Sequence, residues 1–108
     1  MLTTELWISF TSLLRSYVAA AGLDSGSPAD VRETGDSIAV ALGGARLEMR
    51  YEPASGEGNW RLRGSAEEVQ GRFALLPEGR FSLDGTVLDL DHAAIDFAAA
   101  LKQAGLER

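Results

Sequence analysis

Both ends of this chain read as amphipathic helices, and the stretch between them reads as short strands broken by turns. A chain of 108 residues laid out this way is a single domain with one sheet to cover and two helices to cover it. Residues 2–21 carry the first helix. At about 100° per residue, Leu2, Leu6, Trp7, Phe10, Leu13, Leu14, Tyr17, Val18 and Ala21 share one face, with Glu5, Ser9, Ser12, Arg15 and Ser16 opposite. Gly22 suits the left-handed position just past a helix end. The apolar arc covers nearly half the circumference, more than the roughly 100° stripe that packing on one surface requires, and Ile8 lies on the polar side. Two readings follow: a helix wedged between the sheet and the second helix, or a helix that also meets a partner subunit.

The last helix is expected from about Asp91 to Ala104, with Asp91 as N-cap. Ala94, Phe97 and Leu101 form its core stripe, Ala93, Ala100 and Ala104 allow close approach, and Gly105 fits the position after its end, with Leu106 against Leu101.

Between the helices, residues 24–35 read as a linker opened by the turn chemistry of Asp24-Ser25-Gly26-Ser27-Pro28. A hairpin follows. Ile38, Val40 and Leu42 alternate with small or polar residues, Gly43-Gly44 supplies a tight turn, and Ala45, Leu47, Met49 and Tyr51 alternate with charges. A two-residue loop pairs Val40 with Leu47 and Ile38 with Met49, so both apolar sets fall on one face. Residues 53–58 are a loop by composition. Trp60 and Leu62 point one way from the next strand, and Arg61 and Arg63 the other. Ser65-Ala66-Glu67-Glu68 has the form of a capping box and fits either one helical turn or a polar turn before a strand. Val69, Gly71, Phe73 and Leu75, then Phe81 and Leu83, then Thr86, Leu88 and Leu90 complete the pattern, with Asp84-Gly85 as a second hairpin signal. The expected fold is α+β: an antiparallel sheet of about five to six strands in residues 1–108, with the terminal helices packed on one face.

Composition narrows the function classes. A net charge of −6 and a pI near 4.6 argue against nucleic acid and against anionic membranes. Arg61, Arg63 and Arg72 lie close in sequence, but on the solvent side of strands and among glutamates. No apolar run reads as a bilayer span, and Met1-Leu2-Thr3-Thr4-Glu5 lacks the basic start of a signal peptide. The absence of cysteine fits a reducing compartment, and a cytoplasmic location is expected.

Few residues offer chemistry. Gly35-Asp36-Ser37 and Asp89-Leu90-Asp91-His92 resemble blocks of the GDS-type serine esterases, with Ser37 as nucleophile, His92 as base and Asp89 as its orienter. That family is α/β, longer, and places its serine after a buried strand, whereas Ser37 opens a hairpin. Asp89, Asp91, His92 and Asp96 read as capping and solvated residues near a helix start, so no metal or other cofactor is expected. The glycines form no phosphate loop. Trp60, Phe73 and Phe81 read as core, or as the walls of a small-ligand pocket between sheet and helices.

Leu6-x-x-x-Phe10-x-x-Leu13-Leu14, closing at Gly22-Leu23, together with Phe81-Ser82-Leu83-Asp84-Gly85, Leu88-x-Leu90-Asp91 and Phe97-x-x-x-Leu101, resembles the first helix and the last strand and helix of the type III secretion chaperones. The chain is shorter than that family and nearly lacks its middle helix. The resemblance implies a non-enzymatic homodimer that binds an unfolded effector segment by strand addition and apolar pockets, with Leu6, Phe10 and Leu13 as contact surface.

Overall fold

Alternation and turn chemistry agree most closely at the Gly43-Gly44 hairpin, and the computed structural model, which describes residues 3–26, 28–64 and 67–106, has the expected register there. Val40 pairs with Leu47 and Ile38 with Met49. Gly43 alone takes a positive φ, 61°, the pattern of a II′ turn. Around this hairpin the chain runs α1 (Thr3–Ser25), β1 (Ala29–Glu33), β2 (Ser37–Leu42), β3 (Ala45–Glu52), β4 (Glu57–Arg63), β5 (Glu68–Leu76), β6 (Arg80–Leu83), β7 (Thr86–Asp89) and α2 (Leu90–Leu106). The seven strands form one antiparallel sheet in chain order, a simple meander with β1 and β7 at its edges.

Several boundaries differ from the sequence reading. The segment 24–35, read as a linker, holds the end of α1 and the whole of β1. The helix does not stop at Gly22, which is buried within it; Gly26, at φ 74°, follows its last residue instead. Gly105 likewise lies inside α2. A Cβ there would stand 2.5 Å from the carbonyl oxygen of Leu42, so the missing side chain lets α2 touch the end of β2. Asp89, not Asp91, caps α2: its carboxylate accepts the backbone N–H of His92 at 2.8 Å. The segment that fits either one helical turn or a polar turn before a strand by sequence is strand from Glu68 onward. Leu2, Ser65, Ala66 and the side chain of Leu106 lie outside the described residues.

Both helices cover one face of the sheet. Trp7, Phe10, Leu14 and Val18 of α1 and Ala93, Ala94, Phe97 and Leu101 of α2 are buried against Ile38, Val40, Leu47, Met49, Tyr51, Phe73 and Phe81. The centre is aromatic. Trp7 stacks on Tyr51 at 5.2 Å and on Phe73 at 5.9 Å, Phe81 stacks on Phe10 at 4.8 Å and on Phe73 at 5.2 Å, and Phe97 meets Phe81 edge-on at 6.1 Å. Such pairs add about 0.5–1.5 kcal/mol each beyond the area they bury. Thr11, the one buried polar residue among those described, donates its hydroxyl to the Ile8 carbonyl at 3.1 Å. Thr4–Asp24 is long and apolar enough to cross a membrane, contrary to the sequence reading; here its apolar side is spent on the sheet.

Candidate interaction surface on the open sheet face

The helices leave the other face of the sheet bare. Strand alternation puts Asp30 and Arg32, then Arg46, Glu48, Arg50 and Glu52, then Glu57, Asn59, Arg61 and Arg63, then Glu68, Gln70 and Arg72 on that face, with Arg80 beyond. Seven of the chain's ten basic residues therefore project from one surface of an acidic protein. Five carboxylates share that surface, since Asp89 is turned onto α2. The face carries an excess of positive charge while the chain as a whole carries −6, so the acidic charge is concentrated on the helices and loops.

The charges are not evenly mixed. Arg46 stands directly opposite Arg63, and Glu52 opposite Glu57, so like charges face one another at both ends of the β3–β4 pair. Directly opposed like charges destabilise a sheet. Between them runs a row with no carboxylate: Ser37 pairs with Arg50, Arg50 with Asn59, and Asn59 with Arg72. Thr34 extends the row, its hydroxyl 2.7 Å from that of Ser37. A shallow trough of about 930 Å³ lies along this region, flanked by Arg32, Arg46, Arg50, Arg61 and Arg72. Four of these arginines have a carboxylate in ion-pair range: Asp30 at 3.5 Å, Glu48 at 3.3 Å, Glu68 at 3.6 Å and Glu57 at 3.4 Å respectively for Arg32, Arg46, Arg61 and Arg72. Among the described residues Arg50 has none. All of these pairs are solvent-exposed and each is worth about 0–1 kcal/mol, so an incoming anion can replace them.

The sequence-derived site residues sit elsewhere. Leu6 and Phe10 are fully buried in the core and offer no contact surface; only Leu13 is half-exposed. The broad apolar arc of α1 is accounted for by its wedged position, where it touches sheet and α2 at once. Phe73 and Phe81 are buried between sheet and helices, stacked on each other at 5.2 Å. Trp60 is half-buried at the margin of that layer, edge-on to Phe97 at 5.6 Å, and its indole N–H is buried without a hydrogen-bond partner among the described residues. Ser37 projects to the open face and His92 sits on α2, across the sheet, so no serine–histidine pair forms. Each acidic residue near His92 has a structural engagement. Asp89 caps α2, Asp91 accepts the Tyr17 hydroxyl, and Asp96 lies 3.5 Å from His92. The hydrogen bond from Tyr17 to Asp91 holds the phenol pKa above its ordinary value, and Lys102, bonded to Asp24, holds that carboxyl below the usual range. Both contacts tie α1 to α2.

The row was invisible as a unit because its members, Ser37, Arg50, Asn59 and Arg72, come from four strands and meet only through register. The available signal was the alternation of arginine with apolar residues in 46–52 and 61–63. Comparison with family models, curated proteins and solved structures finds no match.

Proposed function

We propose that this protein is a non-enzymatic, cytoplasmic interaction module that binds an extended acidic segment of a partner protein across its open sheet face. The observation that carries this reading is the collection of seven arginines on the one uncovered face of a chain of net charge −6, with no ion-pair partner for Arg50 among the described residues of its trough. The trough spans β1 to β5, roughly 19 Å at about 4.8 Å per strand, which matches about six residues of extended chain. Repulsion from the acidic helical side is screened beyond about 10 Å at ordinary salt, so the local excess of arginine governs what docks. The resemblance to secretion chaperones gives the partner its most concrete form, an effector segment held unfolded.

The test is fluorescence anisotropy with a labelled, alternating Glu-Ser peptide and its Gln-Ser counterpart. The acidic peptide is expected to bind, with affinity that falls steeply with salt, and Arg50→Glu with Arg72→Glu should weaken it at least tenfold. Equal binding of both peptides, or indifference to the arginine changes, would sink the reading.

A further inference from the structure

β1 has a neighbour on one side only. Thr34 N–H donates to the Ser37 carbonyl at 2.9 Å, and Tyr51 N–H donates to the Asp36 carbonyl at 2.7 Å. Together these bonds fix the phase of the ladder. Arg32–Ala39 and Asp30–Ala41 are the hydrogen-bonded pairs between β1 and β2, so the amide and carbonyl groups of Ala29, Val31 and Glu33 point out of the sheet.

We infer that this protein forms a two-fold dimer in which β1 pairs antiparallel with β1 of a second copy, centred on Val31. In that register Ala29, Val31 and Glu33 meet Glu33, Val31 and Ala29 of the other copy, and every outward backbone group on the strand finds a partner. Asp30 then stands opposite Arg32 of the second copy, twice over. These are non-hydrogen-bonded positions, where opposed Cα atoms approach to about 4.5 Å and side chains interact most closely. Sliding the second copy by one two-fold register in either direction sets Asp30 against Asp30 or Arg32 against Arg32. The strand thus selects one symmetric register by charge and penalises its neighbours.

The flank of the edge agrees. Arg15 of α1 reaches Glu33 at 3.5 Å, which places α1 along β1. A shallow, mostly apolar hollow formed by Ala19, Gly22, Leu23, Pro28 and Ala29 lies beside the edge, and Leu23 is 88% exposed. A second α1, brought alongside by the two-fold, covers it. The result is a continuous sheet of twice seven strands with both open faces on one side. The inference stands on the edge geometry alone and does not depend on what the open face binds.

The experiment is native mass spectrometry and sedimentation on four samples: the natural chain, Asp30→Arg, Arg32→Asp, and an equimolar mixture of the two variants. The natural chain should appear at twice its 11.5 kDa mass. Each variant puts like charges at both contacts and should dimerise at least tenfold more weakly. In the mixture, one variant brings arginine to both contact positions and the other brings aspartate to both, so a heterodimer should form. Both positions are exposed on an edge strand, and circular dichroism should show unchanged folding. A natural chain that stays monomeric up to high micromolar concentration overturns the inference. So do variants that dimerise as well as the natural chain, or a mixture that yields no heterodimer.

Discussion

Trp60 and Gly71 face each other across β4 and β5, and the indole lies where a side chain at 71 would stand. A Cβ at Gly71 would be 2.7 Å from the Trp60 Nε1. One row along, Gly58 and Phe73 repeat the relationship with the strands exchanged: a Cβ at Gly58 would meet the Phe73 ring at 2.3 Å and the Arg50 carbonyl oxygen at 2.2 Å. Two rings therefore lie across neighbouring strands, Trp60 against Phe97 of α2 and Phe73 against Trp7 of α1.

Gly71→Ala is expected to lower unfolding free energy by about 1–3 kcal/mol, the usual cost of overpacking. In a Trp60→Leu background the cost should shrink without vanishing, because the indole is gone while the Asp84 carboxylate oxygen, 2.6 Å from the same Cβ, remains. Gly58→Ala should cost more than Gly71→Ala, since one of its obstacles is backbone. Urea denaturation of the double-mutant cycle checks this; strict additivity at Trp60 and Gly71 would show that the indole is not the obstacle.

Phe81→Ala should remove about 3–5 kcal/mol, a large share of the roughly 5–15 kcal/mol that holds a domain of this size together. Phe10→Ala belongs to the same class, because the two rings stack at 4.8 Å. Its effect should appear as a lowered melting temperature, with little change in any binding property of the fraction that remains folded. Leu13→Ala, at a half-buried site, should cost clearly less.

Asp89→Ala removes the cap of α2 and should cost about 0.5–2 kcal/mol, with Asp89→Asn largely restoring it. Asp91→Ala should leave the cap intact. Thermal melts of the three variants separate the two aspartates.

The helix–helix contacts give stability a pH signature. Asp24 has a depressed folded pKa, so its contribution is present above the unfolded carboxylate pKa and is lost as pH falls through the folded value. Lys102→Met should flatten that acid limb. Tyr17 has a raised folded pKa, so its contribution is complete below the ordinary phenol value of about 10 and is lost as pH rises through the folded value. Asp91→Asn should make Tyr17 ionise at lower pH, read as earlier growth of the phenolate absorbance. An unchanged titration curve would show that Asp91 does not hold the phenol in solution.

The fold was legible where two independent local signals coincide. Ile38, Val40 and Leu42 alternate up to Gly43, and Ala45, Leu47 and Met49 alternate away from it, so one register satisfies both. β1 is hard to see in the sequence because an edge strand needs apolar residues on one side only, and Val31 is its single large one. Gly22 and Gly105 resemble helix ends because sequence cannot distinguish a glycine chosen for its backbone from one chosen for its missing side chain. The candidate surface was legible only in pieces. Arg50 reads as one charge among many until Ser37, Asn59 and Arg72 are brought beside it by three successive pairings.

The meander has a consequence for how the chain is made. Each strand finds its partner in the segment just before it, so the sheet can zip up as it leaves the ribosome. α1 cannot be finished that way. It is synthesised before the sheet, but Phe10 rests on Phe81 of β6 and Phe97 of α2, which follow much later. Trp7 can settle on Tyr51 once β3 is out, but the Phe10 part of its apolar side waits uncovered until β6 and α2 emerge.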